Sequence, residues 1–170
     1  MKPRSLLGLL RRTGRPNGPK PRRARRPFFE PLEDRHLLAA LLYVNDDATG
    51  LDNGTSWANA YVDLQSALGA AAAGDEIWVA AGTYKPTSGT DRTISFSLKE
   101  SVSLYGGFAG TETSRDQRDW TTNVTTLSGD IGAVGIETDN SYHVVYASNI
   151  TSSRLDGCTI TAGRAGGGDP

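Results

Sequence analysis

The stretch Trp57-Ala-Asn-Ala-Tyr61-Val-Asp-Leu64-Gln-Ser-Ala-Leu68-Gly-Ala-Ala-Ala-Ala-Gly74-Asp75-Glu76-Ile77-Trp78-Val79-Ala80-Ala-Gly82-Thr-Tyr84 decides how the rest of the chain is read. Tyr61, Leu64, Leu68 and Ala71 recur at helical spacing, and the run Ala70 to Ala73 has the strongest helix propensity. The pattern predicts a helix over 59–73, with Gly74 as a left-handed C-cap. Glu76 to Ala80 then reads as a strand, entered through a turn at Asp75 and ended by Gly82. One amphipathic helix is thereby delivered directly onto the first of a series of short strands. Trp57, Tyr61, Leu64 and Leu68 supply its apolar surface, which is expected to cap one end of a strand stack.

Toward the C-terminus, Ile94, Phe96 and Leu98 alternate with Thr93, Ser95 and Ser97, the period-two signature of a strand with one buried face. Val102 and Leu104 continue it after a turn at Lys99-Glu100. A Leu-x-Gly triplet then recurs: Leu104-Tyr-Gly106, Leu127-Ser-Gly129 and Leu155-Asp-Gly157 lie 23 and 28 residues apart. Val79-Ala-Ala-Gly82 is a looser version 25 residues before the first. A period in the twenties predicts an all-β solenoid. In that reading Leu104, Leu127 and Leu155 form one internal ladder at about 4.8 Å spacing, and Gly106, Gly129 and Gly157 turn the corners. No second cap follows the strand Cys158 to Thr161, so the chain is expected to be the first part of a longer stack. Its open end would take further coils of the same solenoid or pair edge to edge with another chain.

The chain's formal charge of -1 hides a division. Met1 to Arg26 holds 10 of the 18 Lys and Arg and no acid, which leaves eight bases against all 19 acids beyond it, a balance of -11. Twenty glycines with abundant Thr, Ser and Asn suit strands and corners better than a helical bundle. The single cysteine, Cys158, excludes an internal disulfide, and its alternation with Ile160 places it as a small apolar residue facing the interior. The organisation expected is a disordered basic leader at 1–26, an export motif with an apolar run at 27–44, and the cap with the first coils at 45–170. The apolar run Leu37 to Val44 has the length of a signal h-region and is too short to span a bilayer, so no transmembrane helix is expected.

Phe29-Glu30-Pro31-Leu32-Glu33-Asp34-Arg35-His36-Leu37-Leu38-Ala39-Ala40 resembles the N-terminal Leu-Glu-Pro-Arg-x-Leu-Leu motif of large planctomycete-type surface proteins, with Asp34 where the pattern has Pro. The resemblance implies export to the bacterial cell surface or outer envelope. A second resemblance is carried by Tyr43-Val44-Asn45, Gly54-Thr-Ser56-Trp57, Gly74-Asp75-Glu76-Ile77-Trp78-Val79-Ala80, Leu104-Tyr-Gly-Gly-Phe108 and Leu127-Ser-Gly-Asp130. These residues look like the opening of right-handed parallel β-helix proteins of the pectin-lyase-like and polymorphic outer-membrane-protein type. That likeness spans about 43–165 and implies a right-handed parallel β-helix, a scaffold that serves lyases, adhesins and structural proteins alike.

No catalytic residue set emerges. Asp46, Asp47 and Asp52 form the densest acidic group and are the candidate calcium ligands; no other cofactor is expected. Asp130 and Asp156, each beside a repeat glycine, read as turn residues, or as stacked carboxylates of a lyase with Arg154 as its base. His36 and His143 have no partner spacing for zinc or for a nucleophile relay. Trp57 and Trp78 read as packing residues, whereas Trp120, in the polar stretch Ser114 to Asn123, is the candidate carbohydrate contact. The function expected is that of an exported cell-surface segment with a structural or adhesive role, contacting surface polysaccharide and carrying no catalysis. The alternatives are a calcium-dependent polysaccharide lyase whose active coils lie beyond residue 170, and a nucleic-acid binder using the basic arm. No nucleic-acid partner is expected in the leading reading.

Overall fold

The computed structural model describes residues 39–166 and, apart from them, Gly18. Contacts divide the chain into Met1–Arg35 and His36–Pro170, and all the elements below belong to the second unit. The predicted basic leader and most of the export motif lie outside the described residues. Leu41–Val44, read from sequence as the end of the apolar leader run, is strand β1 of the folded unit.

The predicted helix is shorter than its apolar pattern. Trp57–Asn59 forms a single 3-10 turn, and α1 spans Leu64–Ala70. Asp63 sets its start: one carboxylate oxygen accepts from the Gln65 N–H at 2.9 Å and the other from the Ser66 hydroxyl at 3.0 Å. Its end is set from outside, because Lys99 Nζ donates to the carbonyls of Gly69 and Ala71 at 2.8 and 2.9 Å. Asp75 accepts from the N–H groups of Ala72 and Ala40 and pulls the chain into the next strand. Gly74 does take positive φ, but in that turn and not as the helix cap. Leu64, Ala67, Leu68 and Ala71 are buried against β1, β2 and β4.

The described residues hold nine short strands: β1, β2 (Glu76–Ala80), β3 (Gly82–Tyr84), β4 (Phe96–Ser97), β5 (Ser103–Phe108), β6 (Thr125–Ser128), β7 (Val145–Tyr146), β8 (Arg154–Asp156) and β9 (Cys158–Thr161). They pair in parallel in three separate sheets ordered β1-β2-β5-β8, β3-β6-β9 and β4-β7. In the largest sheet Leu42, Ile77, Leu104 and Leu155 share one register row and face the main core. Tyr43, Trp78, Tyr105 and Asp156 form the adjacent row on the opposite face, where Trp78, Tyr105 and Phe108 make a second apolar cluster with Trp57. The two rows follow from the alternation of side chains along each strand.

The expectation of an all-β parallel β-helix is corrected by this arrangement. Strand accounts for only about 26% of the described residues, in pieces of two to six residues distributed over three small sheets, with an α-helix and three 3-10 turns between them. The single leucine ladder is corrected as well. Leu104 and Leu155 are register partners, but Leu127 lies in the second sheet between Tyr84 and Ile160. Nor do the three glycines share a role. Gly157 turns a corner at φ 72, whereas Gly106 and Gly129 lack positive φ and are held by close approach. A Cβ on either would come within 2.5 Å of a backbone oxygen, that of Gly157 or Ala162.

The first edge of the large sheet is closed by irregular backbone and not by the helix. Tyr43 donates to the Gly54 carbonyl at 3.0 Å, Tyr61 donates to the Tyr43 carbonyl at 2.9 Å, and Asn45 donates to the Tyr61 carbonyl at 2.9 Å. Tyr61, expected on the helix, is therefore a one-residue bridge to Val44. At the other side, β8, β9 and β7 are the last strands of their sheets.

A candidate carbohydrate-contact site at Trp120

The site is built on the outer row of the large sheet. Three guanidinium groups lie over the ring of Tyr105 on β5, those of Arg115, Arg118 and Arg154, at 4.7, 5.1 and 5.6 Å from its centre. Each is also ion-paired: Arg115 with Glu76 at 2.8 Å, Arg118 with Asp156 at 2.9 Å, and Arg154 with the same Asp156 at 2.8 Å. Hydrogen bonds from Arg154, and next from Arg118, hold the Asp156 carboxyl below the usual carboxylate range. Arg118 is the anchored member, since it also donates to the Gly106 carbonyl and its guanidinium lies 5.1 Å from the Trp120 ring.

Trp120 stands on a turn that its neighbour fixes. One oxygen of Asp119 accepts from the N–H groups of Thr121 and Thr122 and from the Thr121 hydroxyl, and the other accepts from the Thr122 hydroxyl at 2.8 Å. The Thr121 and Thr122 hydroxyls, then their N–H groups, bring the Asp119 carboxyl down to about 2. The Asp119 N–H donates to the Gly107 carbonyl at 2.8 Å, tying the turn to β5. Gly107 takes φ 96, and a Cβ there would meet the backbone of Trp120 at 2.9 Å. The absent side chain lets the turn dock, and the indole is left 55% exposed.

Trp57 and Trp78 pack inside the fold, and Trp120 is exposed. Trp78 is buried and stacks on Phe108 at 4.7 Å, and Trp57 packs edge-on against Tyr43 at 4.8 Å with its indole N–H donating to the Glu112 carbonyl. Among the described residues no group of three or more His, Cys, Asp and Glu is placed to hold a metal. Asp52 accepts from the Val62 N–H at 2.9 Å, while burial and then the charge of Asp47 raise the Asp46 carboxyl above its ordinary range.

Asp156 belongs to the large sheet, whereas Asp130 follows β6 and accepts from the Gly135 N–H at 3.1 Å, the turn role expected of it. Cys158 packs against the core, as its alternation predicts, but Ile160 is 52% exposed. Tyr105, Arg115, Arg118, Asp119 and Gly107 were not singled out from sequence. The signal available for some of them was local: Arg115 and Arg118 precede Trp120 in one polar stretch, and Asp119-x-Thr-Thr is an Asx-turn pattern. No helix among the described residues is long and apolar enough to cross a membrane. No protein-family model, curated protein or solved structure matches this chain.

Proposed function

We propose that the chain has a structural or adhesive role at a bacterial cell surface, contacting carbohydrate through Trp120 and carrying no catalysis of its own. The observation behind the contact is the half-exposed indole on a turn fixed by Asp119 and docked on Gly107. A flat apolar ring held in one place stacks on the apolar face of a sugar, and paired Arg and Asp side chains offer donors and acceptors to its hydroxyls. Support for the surface location comes from the leader-like composition of Met1 to Arg26 and the motif-like Phe29 to Ala40. A second contact, with another copy of the chain, is favoured by the last strands, because the first edge of the large sheet is closed and, among the described residues, no strand but β5 pairs with β8.

The test is a titration of the full chain with soluble xylan, galactan, alginate and pectate, followed by tryptophan fluorescence. The expected result is saturable binding to at least one of them, weakened roughly tenfold by Trp120→Ala. Binding unchanged in that variant would remove Trp120 from the reading. Unsaturated products from pectate or alginate with calcium present would overturn the non-enzymatic part. Salt-sensitive binding of DNA, lost on removing Met1 to Arg26, would favour a nucleic-acid role instead.

A further inference from the structure

The last strand of the large sheet carries a charge pattern that fits its own reverse. β8 reads Arg154-Leu155-Asp156, with Arg154 and Asp156 on the outer face beside Tyr105 and Leu155 on the core face in the row of Ile77 and Leu104. The Arg154 N–H donates inward to the Val102 carbonyl at 3.2 Å. Successive residues of a strand turn their N–H and C=O groups to opposite edges, so those of Leu155 face away from β5.

We propose that two copies of this chain associate through β8, antiparallel, about a twofold axis at Leu155. The proposal rests on the reading of the last strands as an association surface and names its register. In that register Leu155 exchanges both backbone hydrogen bonds with the partner's Leu155, as in a hydrogen-bonded antiparallel pair. Arg154 stands opposite the partner's Asp156, and Asp156 opposite the partner's Arg154, so both outer-face pairs are of opposite charge. Centring the axis on Arg154 or on Asp156 would place like charges face to face, which is destabilising. Arg154 is the side chain free to change partners, being 61% exposed, while Arg118, at 13%, keeps its bond to Asp156 within the chain. The half-buried Leu155 would meet its counterpart on the core face and extend the apolar row by one residue on each side. The isologous symmetry requires nothing of the surface beyond this one strand's self-complementarity.

The experiment is sedimentation velocity on the full chain over a concentration series, with Arg154→Glu and Asp156→Arg made separately. The wild type is expected to dimerise. Each variant alone sets like charges opposite one another and is expected to weaken the dimer roughly tenfold. Mixed together, the two variants again pair every charge with its opposite and are expected to form a heterodimer. A wild type that stays monomeric overturns the association surface and the register together. A dimer that both variants keep, or that mixing does not restore, overturns the register alone. Should Asp156→Arg fail to fold for want of its bond to Arg118, Leu155→Cys in a Cys158→Ala background gives the same decision. Equivalent residues of a hydrogen-bonded pair lie about 5.5 Å apart at Cα, within disulfide reach, so a cross-linked dimer is expected on oxidation. Its absence while the dimer persists in solution overturns the register.

Discussion

Leu127→Ala separates the arrangement seen here from a single leucine ladder. Leu127 is 1% exposed in the middle strand of the three-stranded sheet, with Tyr84 and Ile160 as its register partners. Leu155, by contrast, is half-buried on the last strand of another sheet. Truncating Leu127 removes three methylene-sized groups from the core, about 2.4 kcal/mol of transfer free energy at roughly 0.8 kcal/mol each. Paired strands on both sides limit collapse, so the cavity left behind raises the cost to about 3–4 kcal/mol. Leu155→Ala, with partial burial and an open flank, costs about 1 kcal/mol in the monomer. Urea unfolding followed by far-UV circular dichroism reads both. With a slope of about 1.5 kcal/mol/M, the midpoint falls by about 2 M for Leu127→Ala and by less than about 1 M for Leu155→Ala. Equal shifts in the two variants, measured at concentrations where the chain is monomeric, would refute the reasoning and restore equivalence of the two leucines.

Three further outcomes are expected. Gly107→Ala pushes a Cβ to 2.9 Å from the Trp120 backbone at a φ of 96, so stability drops by about 1–3 kcal/mol, the Trp120 emission shifts and saccharide binding weakens, all readable by fluorescence. Because the Asp119 carboxyl titrates near 2 in the folded chain, below its ordinary value of 3.8, its contribution to the turn is complete above the ordinary carboxylate range and is lost as pH falls through about 2; a near-UV dichroism titration should show a step that Asp119→Ala removes. Burial pushes the Cys158 thiol up to about 12, so alkylation by iodoacetamide at pH 8 is slow in the folded chain and fast in urea.

What the sequence disclosed was local. The strand Glu76 to Ala80 was readable from its apolar run between Asp75 and Gly82, and the helix from the spacing of Leu64 and Leu68. The helix length was not, because its end depends on Lys99, which reaches the carbonyls of Gly69 and Ala71 from about 30 residues away. The Leu-x-Gly repeat misled because three identical letters record that a leucine is buried and a glycine is needed, and say nothing of which sheet receives them or why. Gly106 is needed for contact with Gly157 and Cys158, Gly157 for a turn. The exposure of Trp120 was legible from its polar surroundings, while the side chains packed around it were not. Arg115 finds Glu76, 39 residues earlier, and Arg118 finds Asp156, 38 residues later. No periodicity marks partners at such separations.

The closed first edge of the large sheet has a bearing on copy number. With Gly54 and Tyr61 already bonded along β1, an incoming chain finds no backbone template there, whereas β8 presents one. Pairing of two copies through β8, as proposed, would join the large sheets at one edge only and leave β1 of each copy at the far edges, where the irregular loop bonded along it acts as the stop for that sheet.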